Sequence, residues 1–365
     1  MVKTDEKHII MNILDRYIAK QIILTIVIVA FALLGFDLFF NLVHELRAVG
    51  KGGYTLSIAF QYIALTLPNR LYLMFPWSAL IGSLICLGAL ANHSELVVMR
   101  TAGVSVLRIT GSVLKAAIIL MIFIVFLGEV IAPTAERIAQ NKRTQALSGG
   151  QSLKTMFGLW VKQGQDFIHI KTIEADGTLK GITRYRFNSD RQLIQALYAE
   201  KGKEKDLEWE LSEVKRTDFT LKETKTLNEE TLMVPQLLDR EILETSLIKH
   251  PERLSIPALW RAMVSREKND LSTESYELAF WVKIFQPLII IMMVFLSVPF
   301  VFGPLRTVST GFRIVVGIFV AFSFHTINSL FSPLAVVYQF PPLLAVLLPI
   351  VVFTAFGFWM LKRNS

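Results

Sequence analysis

Six stretches of about 20 apolar residues dominate this chain. Each is long enough to cross ~30 Å of hydrocarbon at 1.5 Å per residue. They are expected as helices at 22–40, 71–91, 106–131, 278–302, 312–331 and 342–361. Between 134 and 276 no run can span a bilayer, so one large polar insert separates the third helix from the fourth. Residues 13–20 read as an amphipathic segment lying at the interface. The apolar run 55–67 reads as stopping at Pro68.

Composition supports this division. The 365 residues are 53% hydrophobic, with a mean hydropathy of +0.48, more apolar than a soluble domain of this length. The net charge of +8 is read through topology and not as a sign of nucleic acid, because many basic residues flank apolar segments. Lys3, Lys7, Arg16, Lys20, Arg100, Arg108, Arg306, Arg313, Lys362 and Arg363 fall on one side. The short opposite loops offer Arg47 and Lys51. The first side is therefore expected to be cytoplasmic, with both termini, and the insert outside. Cys86 is the single cysteine, so the insert must hold together by core packing. No cleavable signal is evident, and the first apolar run reads as a retained anchor.

The insert reads as mostly strand. Residues 158–162, 167–171, 182–187, 193–200 and 207–211 show alternation or β-branched and aromatic bias. Turn signals separate them at Asp176-Gly177, at 188–190 and at 201–206. Short strands at this spacing predict a sandwich or jelly roll. Residues 135–147 and 256–268 read as flanking helices, the latter with Pro257 in its first turn. The fold class is thus a six-helix membrane protein with an all-β, jelly-roll-like domain inserted between helices 3 and 4. Its parts are 1–133, 134–276 and 277–365.

Residues 147–151 spell LSGGQ, the signature of ABC-type ATPases. That signature needs a phosphate loop of the form GxxxxGK[ST], and the chain has none. The match reads as a turn entering the sheet, and the chain is not expected to hydrolyse ATP. His325 and Asn328, one turn apart, read as helix-packing groups. His169 is too isolated to suggest a metal, and no constellation suggests catalysis.

The link 92–105 carries Ser94, Glu95, Leu96, Val97, Met99 and Arg100. Ser94 is placed to cap a short helix with Glu95 in its first turn. Such a helix either lies on lipid or docks into a partner's groove. Charges near the outer helix ends include Asp37, Arg47, Arg70, Glu129, Arg137, Arg143 and Lys283. Most suit interfacial anchoring. Arg70 has apolar sequence on both sides, a setting in which an ionisable group faces a cavity or a partner. A ring of basic groups there would suit an anionic amphiphile.

Several segments together resemble the LptF/LptG lipopolysaccharide-export permeases, in particular their LptG type. They are 14–18 (LDRYI), Phe75-Pro76, 94–99 (SELVVM) with Gly103, Ala132-Pro133, 158–160 (GLW), 283–288 (KIFQPL), 302–306 (FGPLR) and Pro341-Pro342. The resemblance runs nearly the whole chain in order. It implies a non-catalytic subunit paired with an LptF-like permease around a cavity open to the outer leaflet of a Gram-negative inner membrane. Two copies of a cytoplasmic LptB-like ATPase would supply ATP and Mg chemistry; the chain itself would bind no cofactor. An LptC-like single-helix subunit would continue the lipid path. The resemblance implies that Glu95 sits in the helix that docks on the ATPase. It also implies that Arg143, which matches a family basic position, faces lipopolysaccharide phosphates; Arg47 and Arg70, as substitutes for family Lys positions, and Arg137, from the ring of outer basic groups, are expected to join it. Asn41 and Asn69 depart from the family, standing where members can carry Lys. Two other classes stay open at this stage: a membrane-anchored periplasmic sensor or scaffold, and an ion-coupled carrier.

Overall fold

A computed structural model describes residues 2–147, 153–174, 177–205, 208–220, 223–235, 237, 251–269, 271–303, 308–338 and 340–364. Among these residues, six helices are long and apolar enough to cross a membrane. The chain divides into two compact units.

The first unit comprises 1–41, 66–136 and 277–365. It contains most of α1 (Val2–Leu46), α2 (Leu56–Asn92), α7 (Glu274–Phe302), α8 (Thr310–Val337) and α9 (Pro342–Asn364), with α3 (Glu95–Thr101) and α4 (Val106–Phe126). A five-residue π-helical segment, Leu127–Ile131, continues α4 into α5 (Ala132–Leu147). The apolar runs of α1, α2, α4–α5, α7, α8 and α9 are spans 1 to 6. Ile18, Ile22 and Ile26 are fully buried in one core with Leu80, Leu84 and Leu87 of α2, Ile109 and Val113 of α4, and Met293 of α7.

Two expectations are corrected here. Residues 13–20 are not set apart from the first span at residue 22: both lie in one continuous helix, α1. The four-residue spacing of Ile18, Ile22 and Ile26 carries one apolar stripe through both parts. Nor does Pro68 stop a helix: α2 runs through both Pro68 and Pro76. Within lipid, an unwound backbone has no water to bond, so the helix persists across a proline.

The second unit comprises 42–65 and 137–276. Its sheet has β1 (Leu153–Gln163), β2 (Asp166–Ile173), β3 (Leu179–Phe187), β4 (Leu193–Lys205), β5 (Glu208–Phe219) and β6 (Thr224–Pro235). Each strand pairs antiparallel with its sequence neighbour, in the order β1-β2-β3-β4-β5-β6. One face is apolar. The cross-strand row Leu159, Ile170, Ile182, Ala199 and Val214 follows the register, and its last four members are buried. Gly158 has φ +70, and a Cβ there would lie 2.1 Å from His169 Nε2. Only glycine fits that irregularity in β1. The turn at 188–190 forms as expected. Asn188 Oδ1 accepts from the backbone N–H groups of Asp190 and Gln192 at 3.0 and 2.8 Å.

Two details of the insert differ from expectation. The Lys-rich stretch read as a turn at 201–206 is largely strand, since β4 extends to Lys205. β6 was not anticipated. It is an edge strand among the described residues and mostly exposed, so it lacks the apolar alternation of a half-buried strand. The flanking helix α6 (Ile256–Lys268) forms as expected, with Pro257 at its start. Most of the LSGGQ match, and the loop 304–306, lie outside the described residues.

Candidate functional site

The link between spans 2 and 3 folds into α3, only seven residues long. Leu96 and Met99 are buried in the span core, while Val97 and Val98 are 42% and 63% exposed. Arg100 is exposed too. The helix thus keeps one apolar edge inward and shows a small apolar and basic surface. The expected cap is not made. Ser94 has φ 63, in the left-handed region at the two-residue link between α2 and α3, and makes no side-chain cap hydrogen bond. A capping serine sits instead in the extended region. Ser105 does so, and its hydroxyl accepts from the Arg108 N–H at the start of α4.

Span 1 reaches the link directly. Tyr17 Oη donates to Glu95 Oε2 at 2.9 Å. Two residues earlier, Asp15 accepts from Arg108 Nη2 at 3.0 Å, from Lys115 Nζ at 2.9 Å and from the Ser112 hydroxyl. On the other side of the link, the fully buried Arg313 of span 5 donates to Asn92 Oδ1 at 2.9 Å.

The four basic residues expected at the outer face have separate settings. Arg47 and Arg137 are exposed. Arg70 Nη1 lies 2.6 Å from Asp37 Oδ2, each side chain about a quarter exposed. Arg143 Nε donates to Glu45 Oε2 at 3.1 Å, and its guanidinium lies 5.3 Å from the Tyr62 ring centre. Glu45 is 3% exposed and also accepts from Tyr54 Oη at 2.8 Å. Burial, reinforced by the neighbouring carboxylate of Glu45, pushes the Tyr54 phenol up to about 12. Gly53 N–H donates to the Ala146 carbonyl at 2.7 Å, closing the loop between spans 1 and 2 against the end of α5.

A third set was visible as charges but not as a pair. Lys283 Nζ donates to Glu129 Oε1 at 2.9 Å. Glu129 sits in the π-helical segment, next to Gly128. A Cβ on Gly128 would fall 2.2 Å from Tyr72 Cδ2, so this close approach of spans 2 and 3 requires glycine. Gln286 Nε2 reaches the Tyr72 carbonyl at 3.4 Å. His325 packs edge-on to Trp77, ring centres 5.2 Å apart, which fits a helix-packing role. Among the described residues no cluster of His, Cys, Asp and Glu is placed to hold a metal ion.

The profile described as "Lipopolysaccharide export system permease LptF/LptG" matches residues 16–363. The chain belongs to the LptF/LptG permease family. It is 36% identical over 362 residues to the lipopolysaccharide export system permease protein LptG of Escherichia coli K12, covering 97% of this chain and 99% of that protein. It is 35% identical over 360 residues to LptG of Haemophilus influenzae, covering 97% and 99%. In this LptF/LptG chain the family-like stretch 94–99 is α3 and its entry, and the LDRYI stretch supplies both Asp15 and Tyr17. Sequence reasoning named Glu95 but missed its contact with Tyr17 and the pairings of Asp15, Glu45 and Arg313. Their partners lie 9 to 221 residues away, so no local spacing announces them. A buried charge must find a counter-charge or hydrogen bonds, and that rule alone could have matched Lys283 with Glu129.

Proposed function

We propose that the chain is the LptG-like permease subunit of an ATP-driven exporter that lifts lipopolysaccharide out of the outer leaflet of the inner membrane. The observation that carries this is end-to-end similarity to proteins named lipopolysaccharide export system permease. A permease of this kind is not itself an enzyme. An LptF-like subunit would complete the membrane cavity, and an LptB-like ATPase dimer would hydrolyse ATP. An LptC-like subunit would take the lipid onward. α3 is the docking element for the ATPase, with Glu95 facing a basic partner. Ser94, Leu96, Val97, Met99 and Arg100 shape that element. Arg47, Arg70, Arg137 and Arg143 form the basic set for lipid phosphates. The distribution of Lys and Arg supports cytoplasmic termini and a periplasmic insert.

The physical task explains the need for ATP. Each acyl CH₂ removed from hydrocarbon costs about 0.8 kcal/mol, so a lipid with several chains must be moved by work into another apolar environment. In this reading the apolar interior of the insert takes up the acyl chains. The scaffold and ion-coupled readings draw no support from these relatives.

The test is replacement in a strain depleted of its own LptG. Expression of this chain restores growth and delivers newly made lipopolysaccharide to the outer membrane. Glu95→Lys abolishes both and reduces ATPase co-purification. Accumulation of lipopolysaccharide in the inner membrane despite stable expression and a bound ATPase would count against the reading.

A further inference from the structure

Glu95 is exposed enough to meet a partner, yet it is held from within the chain. Tyr17 Oη donates to one carboxylate oxygen, Oε2, at 2.9 Å. The Tyr17 ring is 39% exposed, so the bond lies at the protein surface and not in a core that would be fixed regardless. A partly exposed glutamate otherwise samples several rotamers, and ordering them at the moment of docking costs conformational freedom. Tyr17 removes much of that freedom beforehand. It also places the carboxylate relative to span 1.

Span 1 leaves most of its apolar surface uncovered by the rest of the chain: 22% of its window is buried, against 72% for span 2 and 67% for span 4, and span 5 is similar at 17%. These two outward-facing spans both hold the link, through Tyr17 to Glu95 and through Arg313 to Asn92. Asp15 fixes the same turn of α1 to Arg108, Ser112 and Lys115, just beyond the link. A displacement of α3 is therefore passed to span 1 through Tyr17, while Asp15 holds the same turn of α1 to α4.

We infer that Tyr17 is a positioning residue for Glu95, presenting its carboxylate to the ATPase and tying span 1 to the movement of α3. This rests on the permease reading above. In this role Tyr17 acts through Glu95, so its effect falls on coupling.

The test uses the whole complex that co-purifies with this chain, in proteoliposomes with purified rough-type lipopolysaccharide. Lipid released per ATP hydrolysed is measured for the wild type, Tyr17→Phe, Glu95→Gln and the double variant. Tyr17→Phe keeps the ring and removes the donor. Losing a hydrogen bond to a charged group at this exposure predicts roughly a three- to tenfold fall in lipid released per ATP. The ATPase stays bound and the melting temperature is unchanged. The double variant is no worse than Glu95→Gln alone, because both act through one contact. Unchanged coupling in Tyr17→Phe overturns the inference. So do losses that multiply in the double variant, or a fall in melting temperature that accounts for the loss. If the wild-type complex releases no lipopolysaccharide with ATP, the permease reading itself fails and this inference falls with it.

Discussion

Lys283 Nζ lies 2.9 Å from Glu129 Oε1, with the two side chains only 6% and 17% exposed. The pair joins span 4 to the π-helical turn of span 3, and Lys283 also lies 5.5 Å from the centre of the Tyr72 ring. Removing one member of such a pair strands the other charge away from water, which costs about 3–5 kcal/mol. Lys283→Met is therefore expected to lower the detergent melting temperature sharply. The double variant Lys283→Met/Glu129→Leu recovers most of it, since packed apolar residues replace a buried pair at little cost. Thermal unfolding of the purified chain checks both.

Gly128→Ala tests the neighbouring approach. Its Cβ would meet Tyr72 at 2.2 Å, closer than any contact the packed spans can accept. Overpacking of this kind costs about 1–3 kcal/mol. Tyr72→Leu in the same chain opens the space and restores much of the loss. Equal melting temperatures for the wild type and Gly128→Ala would show that spans 2 and 3 do not pack this way.

Tyr54 gives a pH signature outside the spans. Its phenol is pushed up to about 12 by burial and by Glu45. The folded form therefore holds a proton that the unfolded chain releases near the ordinary value of about 10. The stability that Tyr54 contributes is complete below pH 10 and is lost as pH rises through about 12. Tyr54→Phe flattens that limb of the curve. Tyrosinate absorbance, followed from pH 9 to 12.5 in both proteins, reads it directly.

Arg143 holds Glu45, and its proposed role in lipid binding can be tested apart from that contact. Arg143→Met leaves Glu45 buried with Tyr54 as a donor, and an undersatisfied buried group costs about 1–3 kcal/mol. Glu45→Gln added to Arg143→Met removes the stranded charge and restores the fold. On the proposed role in phosphate binding, lipopolysaccharide binding stays weak in both variants, because both lack the Arg143 cation. Full binding in the double variant would reduce Arg143 to a loop clamp.

What was legible in the sequence tracks how local the cause is. The six spans were readable because about 20 apolar residues in a row have few other fates. The ends of α1 and α2 were not, because Pro68 punctuates helices in water more strongly than it does between packed spans. β2 and β3 showed themselves by alternation, whereas β6 sits at an edge with few apolar positions to alternate. At the candidate site, Glu95 stood out within a resemblance to a family. Tyr17, 78 residues distant, carries no mark except an aromatic ring near a helix end. Arg70 looked like a charge in search of a ligand, but it has Asp37 beside it.

The connectivity of the insert also governs how it is made. Each described strand bonds to the one before it, so every pairing closes a short loop and none waits for a distant segment of chain. During synthesis, β1 and β2 can zip as soon as both have emerged, and each later strand adds to an edge already formed. The six described strands can therefore pair before spans 4 to 6 have been synthesised, so the insert need not wait for the rest of the chain.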